Sequence, residues 1–210
     1  NNIIITSTSE TYGSALYTPM DENHRLLGQS PYSASKIAAD NLSLSYYMSY
    51  NLPVKIIRPF NCYGPRQSAR AIIPTIASQL LSSKKNIHLG NINSVRDLTY
   101  VEDLTAAFCV MHKSKNFIGE VTNVGTGKGY KIEELYKIIS NKLNIDKNII
   151  IEKKRIRPKN SEVDKLICDN KKIRKSSLWK PKINIEKGIE NTVNWIKQNQ
   201  EIFKSNTYNV

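Results

Sequence analysis

Short apolar runs alternate with longer helix-like segments along almost the whole chain, and this alternation restricts the fold more than any other feature. Runs such as Ile3-Ile4-Ile5 and Val54-Lys55-Ile56-Ile57 have the length and β-branched composition of strands. The reading predicts strands over 3–7, 54–58, 87–89, 121–124 and 149–153. It predicts helices over 31–50, 72–82, 102–113, 132–143 and 185–198. Such alternation implies an α/β layer structure with parallel strands, because each parallel neighbour needs a crossover and a helix supplies it. At 210 residues the chain can bury a sizeable core.

Composition narrows the function classes. No apolar run approaches the ~20 residues of a membrane span, so no membrane partner is expected. No secretory leader is read. Cys62, Cys109 and Cys168 are odd in number and widely spaced, which favours a reducing compartment, so a cytoplasmic location is expected. His24, His88 and His112 show no ligand spacing with them, and no metal is expected. The net charge of +13 is uneven, +2 over residues 1–110 and +11 over residues 111–210. A basic half suits nucleic acid or an anionic small molecule. These lysines are dispersed among Asn and Ile without aromatic interleaving, so no nucleic-acid partner is expected. The opening Asn1-Asn2-Ile3-Ile4-Ile5-Thr6 enters a core-strand pattern at once and without Met, as expected of a piece of a longer protein. No Gly-x-Gly-x-x-Gly, the loop that seats a dinucleotide pyrophosphate on a helix N-terminus, occurs in the chain.

Two clusters carry chemistry. Ser30-Pro31-Tyr32-Ser33-Ala34-Ser35-Lys36 opens the helix over 31–50. Ser30 suits the N-cap and Pro31 the first helical position, where its missing N–H is no loss. Tyr32 and Lys36, four apart, share a helical face, and an ammonium beside a phenol favours phenolate. Tyr-x-x-x-Lys occurs by chance in many proteins and by itself reads as a solvated helix start. Upstream, the strand over 3–7 runs into Thr6-Ser7-Thr8-Ser9-Glu10-Thr11. In open α/β sheets ligands sit at the carboxyl ends of strands, where hydroxyls followed by a carboxylate are well placed. The same cluster also reads as a Ser/Thr-rich turn.

The combination resembles an extended short-chain dehydrogenase/reductase of the NAD-dependent epimerase/dehydratase family, closest to nucleotide-sugar 4,6-dehydratases. The matching segments are TSTSETYG (6–13), SPYSASKIAAD (30–40), IIRPFNCYGPRQSARAIIP (56–74), RDLTYVEDL (96–104), NVGTG (123–127) and RIRPKNSEV (155–163). They run in the family's order through roughly three quarters of the chain. QSPYSASK and GPRQSARAIIPT are similar to dehydratases acting on UDP- or GDP-N-acetylglucosamine in legionaminic acid type pathways. The resemblance implies a Rossmann-like doubly wound parallel sheet, its N-terminal part missing, with a smaller C-terminal α/β substrate domain. Residues 1–65 would be the remainder of the dinucleotide-binding domain, with return segments near 90–125, and residues 66–210 mainly the substrate domain.

The resemblance also implies roles. NAD would be the cofactor and a nucleoside-diphospho sugar the substrate. Tyr32 would take the proton of the sugar 4-hydroxyl while hydride leaves C4. Lys36 would lower the tyrosine pKa and hold the nicotinamide ribose, with Ser7 and Pro59 beside the cofactor. Thr8 would hydrogen-bond the 4-oxygen. Glu10 would remove the C5 proton, water would leave from C6, and the hydride would return to C6. Many 4,6-dehydratases have Thr-Asp-Glu; here the middle position is Ser9, which leaves open the group that protonates the departing hydroxyl. A decarboxylase, a 4-epimerase of the same superfamily and a catalytically incompetent fragment are the alternatives. Without the glycine loop the piece alone is expected to bind NAD poorly. Asn61 would contact the substrate diphosphate, Arg96 and Arg157 match the family's phosphate-binding arginines, and Arg66 would bind substrate. Arg66 and Arg70 also read as solvated loop charges, Arg96-Asp97 as a local ion pair, and Lys154 and Arg155 as solvated. Asn123–Gly127 would support a turn near the substrate, Cys62 would pack, and Trp179 and Trp195 would anchor the terminal helix. A homodimer through the Tyr-x-x-x-Lys helix is implied, and Ser45-Tyr46-Tyr47-Met48 suits either that interface or the chain's own core.

Overall fold

The computed structural model describes residues 3–156 and 158–203. In chain order the elements are β1 (Ile3–Thr6), a 3-10 turn at Ser9–Tyr12, α1 (Pro31–Tyr50), β2 (Val54–Pro59), β3 (Asn61–Tyr63), α2 (Ile72–Leu81), β4 (Asn86–Leu89), β5 (Val95–Tyr100) and α3 (Val101–Lys113). They continue with β6 (Val121–Val124), β7 (Gly129–Lys131), α4 (Ile132–Leu143), β8 (Asn148–Ile151), β9 (Lys165–Leu166), α5 (Lys171–Ser176) and α6 (Ile185–Gln198).

The first sheet has the order β1-β2-β6, parallel throughout, with Ile5 opposite Ile56 and Ile57 opposite Thr122. Ile57, Ala107, Met111, Phe117, Val124, Ile173 and Trp179 form its buried cluster with α3 and α5. Trp179 therefore anchors the segment after α5 against α3, its indole N–H donating to Asp103 O at 2.9 Å, and not the terminal helix. Lys55, the second residue of β2, is fully buried. Its ammonium donates to the carbonyls of Met111 (2.7 Å), His112 (3.3 Å) and Ser114. These are the end of α3, whose last carbonyls lack partners within the helix.

In the second sheet β5 is central. Along one edge it pairs in parallel with β3 and β9, and β7 pairs antiparallel with it. Among the described residues this β5–β7 pair alone departs from the expected parallel arrangement. β4 and β8 form a further parallel pair. The largest core joins α2, α4 and α6 through Ile73, Ile76 and Leu80, Leu135 and Ile139, and Ile189, Val193 and Ile196. Their spacings of three and four put each set on one helical stripe. Gly188 lets α6 press its backbone onto the Tyr63 ring, where a Cβ would overlap the hydroxyl.

All the helices and strands expected from the sequence are present to within a residue or two. β3, β5, β7, β9 and α5 were not expected; they are short or rich in polar residues. In α1 only Ser33 and Asp40 are buried. Met48 is 76% and Tyr50 74% exposed, and Tyr46 is also exposed, so these three side chains lie outside the chain's own core, while Tyr47 is half-buried with its ring against Gly119. α1 meets the body along the narrow stripe that carries Lys36 and Asp40. Among the described residues no helix is long and apolar enough to cross a membrane.

Candidate active site

The site begins at the carboxyl end of β1. Ser7 N donates to Ile57 O at 2.8 Å, and the chain then turns at Ser9–Tyr12. Thr8 caps the turn, its Oγ1 accepting from Glu10 N at 3.3 Å. Thr11 Oγ1 donates to Thr8 O at 2.8 Å. Gly13 closes the turn at φ 63°, where a side chain would also meet Gln29 Oε1. Thr8 and Glu10 are half-buried, while Ser7 and Ser9 are buried.

α1 starts as its sequence dictates. Ser30 Oγ accepts from Ser33 N at 3.1 Å, Ser33 Oγ accepts from Ser30 N at 3.0 Å, and Pro31 follows the cap. Tyr32, half in solvent, and Lys36 share a face, with Lys36 Nζ 5.9 Å from the Tyr32 ring centroid. Lys36 Nζ also donates to Thr6 O at 3.0 Å. The Tyr/Lys pair is thereby tied to the strand end that leads into Ser7, Thr8, Ser9 and Glu10. Pro59, at the end of β2, lies opposite Val124 of β6.

Beneath this group lies a buried polar chain that the sequence reading did not find. Asp40 Oδ2 accepts from Ser7 Oγ (2.7 Å), Arg58 Nε (3.0 Å) and Arg58 Nη2 (2.8 Å). Arg58 Nη1 donates to Tyr12 OH at 3.2 Å, and Tyr12 OH donates to Asn123 Oδ1 at 2.7 Å. Asn123 N in turn donates to Glu22 Oε1 at 2.8 Å. Burial pushes the Tyr12 pKa up to about 12, so it remains a phenol. Burial likewise raises the Glu22 carboxyl above its ordinary value. The signal was present: Tyr32, Lys36 and Asp40 recur every four residues, and Arg58 interrupts an apolar strand.

Two residues beyond Pro59, Asn61 opens onto a cleft of about 320 Å³ whose polar wall includes Arg70, Arg96, Arg155 and Glu162. Arg96 Nη1 donates to Val95 O at 3.0 Å and Nη2 lies 3.8 Å from Glu162 Oε1. Arg96 does not form the local ion pair with Asp97. Asp97 is fully buried and accepts from Thr126 N (2.9 Å), Thr126 Oγ1 (2.6 Å), Gly127 N (2.8 Å) and Cys168 N (3.1 Å). Burial raises its pKa, opposed by these donors. The expected turn at 123–127 is therefore fixed by a carboxylate. Arg155 is held by Glu152, its Nε donating to Oε2 at 2.6 Å, and lies in the cleft wall instead of solvent. Glu152 Oε1 also lies 2.9 Å from His88 Nδ1. Arg66 sits exposed at φ 66°, and Arg70, not Arg66, lines the cleft. Arg157 lies outside the described residues. Cys62 also lines the cleft, and burial pushes its pKa up to about 11, which keeps it an unreactive thiol.

Comparison with known proteins gives this arrangement a family. The model of the GDP-mannose 4,6 dehydratase family matches residues 1–192. A provisionally named UDP-glucose 4-epimerase of Methanocaldococcus jannaschii is 33% identical over 200 residues, covering 94% of this chain and 63% of the relative. A trifunctional UDP-glucose 4,6-dehydratase, 3,5-epimerase and 4-keto-L-rhamnose reductase of Arabidopsis thaliana is 34% identical over 93% of this chain and 29% of its own length. The crystal structure of dTDP-glucose 4,6-dehydratase from Bacillus anthracis in complex with NAD superposes with a TM-score of 0.88 at 31% identity, over 97% of this chain and 64% of that one. The chain thus spans less than two thirds of the length of these relatives. The resemblance read from the motifs is borne out, as is the Rossmann-like α/β fold. The chain belongs to the GDP-mannose 4,6 dehydratase family, among the nucleotide-sugar dehydratases of the extended short-chain dehydrogenase/reductase fold.

Proposed function

We propose that the whole protein dehydrates a nucleoside-diphospho sugar at C4 to C6 with NAD, giving the 4-keto-6-deoxy sugar. The observation that carries this reading is the joint at the end of β1. One carbonyl, Thr6 O, holds Lys36 of the Tyr32/Lys36 pair, and four residues later stands the half-buried carboxylate Glu10. A Tyr/Lys pair alone supports alcohol oxidation; a carboxylate beside it adds a base for the C5 proton.

The residues present fit the nicotinamide end of NAD. Lys36 carries three donors, of which Thr6 O takes one, and Tyr32 reaches solvent from the helix start. Lys36, Tyr32, Ser7 and Pro59 would hold that end. NAD, when bound, supplies reversible hydride acceptance. Tyr32 takes the proton of the 4-hydroxyl, with the Lys36 ammonium 5.9 Å from its ring centroid. Thr8 hydrogen-bonds the 4-oxygen. Glu10 removes the C5 proton, acidified by the 4-ketone, and with Ser9 in the middle position we assign it the protonation of the departing 6-hydroxyl as well. Asn61, Arg96 and Arg157 are assigned to the diphosphate, and the cleft geometry adds Arg70 and Arg155, whose planar guanidinium groups suit phosphate.

Motif phrasing supports UDP- or GDP-N-acetylglucosamine, whereas the named relatives that are dehydratases act on glucose. We assign residues 1–65 and the returning α3 and β6 to the dinucleotide side and the remainder to the sugar side. The exposed Tyr46, Met48 and Tyr50 support a homodimer through α1, which sedimentation equilibrium of the whole protein would test.

The deciding experiment incubates the whole protein and NAD with UDP-, GDP- and dTDP-linked glucose and N-acetylglucosamine, and with the UDP-linked glucuronate. A 4-keto-6-deoxy product supports dehydration. Inversion at C4 without loss of water would favour the 4-epimerase named for one relative, and carbon dioxide from a glucuronate would favour a decarboxylase. Glu10→Gln is expected to oxidise C4 yet fail to eliminate water; unchanged turnover would remove Glu10 from the mechanism.

A further inference from the structure

We infer that the buried chain Asp40–Arg58–Tyr12 positions the Thr8-Ser9-Glu10 turn against the Tyr32/Lys36 helix, an inference that rests on the dehydratase reading. The bonds made inside the turn, Thr8 Oγ1 with Glu10 N, Thr11 Oγ1 with Thr8 O and Gly13 N with Glu10 O, fix its shape. They do not fix its place relative to α1. That place is set from both flanks. On the N-terminal flank Ser7 Oγ donates to Asp40, and on the C-terminal flank Tyr12 OH accepts from Arg58. Both tethers end on one ion pair, Arg58–Asp40 at 2.8 Å, whose side chains are 4% and 1% exposed. Asp40 in turn follows Tyr32 and Lys36 at four-residue intervals on the inner stripe of α1. Beside the Lys36–Thr6 bond at the end of β1, this carboxylate therefore references the redox pair and the elimination turn to each other.

The device is geometric. Asp40 and Arg58 neutralise one another, so the pair adds no net charge beneath Glu10 and acts through place instead of acidity. The Arg58 guanidinium lies over the Tyr12 ring, 5.0 Å from its centroid, which fixes the ring as well as the hydroxyl. Removing the hydroxyl alone frees one flank while the ring stays packed. Misplacement of a catalytic group by about 1 Å can lower a rate about 100-fold.

The test uses the whole protein with NAD and the nucleotide sugar that it dehydrates. Single-turnover NADH formation reports C4 oxidation, and solvent deuterium incorporated at C5 reports the Glu10 step. In Tyr12→Phe the C5 step is expected to fall at least about tenfold while NADH formation stays within about threefold. Amide hydrogen exchange over residues 8–13 is expected to rise with it, with the amides of β2 unchanged. In Asp40→Asn, which loosens both tethers, both steps slow. A merely structural role would lower both steps in parallel with the folded fraction, and would leave their ratio unchanged in Tyr12→Phe. That unchanged ratio in a wild type that dehydrates would overturn this inference alone. A wild type that dehydrates none of the sugars would overturn the dehydratase reading and this inference with it.

Discussion

Lys55→Met isolates the most deeply buried charge in the first sheet. The change keeps an unbranched chain of similar volume within β2 and removes the ammonium that closes α3. Three carbonyls, those of Met111, His112 and Ser114, lose their donor. A buried carbonyl left without a partner costs about 1–3 kcal/mol. Only the bond to Met111 is wholly buried; those to His112 and Ser114 are nearer the surface, where water takes over part of the role. Weighting the three in that way gives about 4 kcal/mol, from which relief of the ammonium's own desolvation removes roughly 1 kcal/mol. The expected loss is therefore about 3 kcal/mol, or roughly 6–12 °C in Tm for a chain of this size. Urea unfolding followed by circular dichroism measures it, with Lys113→Met, exposed on the same helix, as the control expected within about 0.5 kcal/mol. The midpoint should fall with an unchanged slope. A loss below about 1 kcal/mol would refute the argument, since the carbonyls would then have no need of Lys55.

The remaining predictions concern other parts of the molecule. Tyr12 has a folded pKa raised to about 12 against about 10 unfolded, so its contribution is complete below pH 10 and is lost as the pH rises toward 12. Alkaline unfolding curves should show a shallower loss in Tyr12→Phe than in the wild type over that window. Gly188→Ala should destabilise by about 1–3 kcal/mol through overlap with the Tyr63 hydroxyl, and Tyr63→Phe in the same chain should restore part of it in a thermal melt. Arg155→Gln should weaken binding of a nucleoside diphosphate about tenfold by calorimetry, whereas Lys154→Gln, on the exposed side of the same turn, should leave it unchanged; equal effects would return Arg155 to solvent.

The parallel frame and the strand-end cluster were legible because their signals are local. β-branched runs, the Ser30-Pro31 helix start and the Tyr32/Lys36 spacing each occupy a few consecutive residues. β5 was missed for the opposite reason. Its Arg96-Asp97 reads as a local ion pair, yet Asp97 and Thr99 are fully buried, and Asp97 is satisfied by donors 29, 30 and 71 positions away. No local pattern announces a partner at that separation. Arg155 was misread similarly: within a run of basic residues nothing distinguishes the one that Glu152 turns into the cleft. Lys55 sits in a strand that the sequence marks as buried, and only the fold shows that the end of α3 receives it. Asp40 was the nearest miss, four residues past Lys36 on the same face.

The carboxylate of Asp97 has a kinetic consequence. Its donors come from residues 126, 127 and 168, so the clamp closes only when three distant stretches of chain have already met. Where such a clamp closes after the rate-limiting step of folding, removing it leaves the folding rate nearly unchanged while hastening unfolding. Asp97 would then govern how long the folded molecule lasts more than how quickly it forms. The turn at 126–127 would owe its lifetime to a residue that itself lies outside the set assigned to substrate and cofactor.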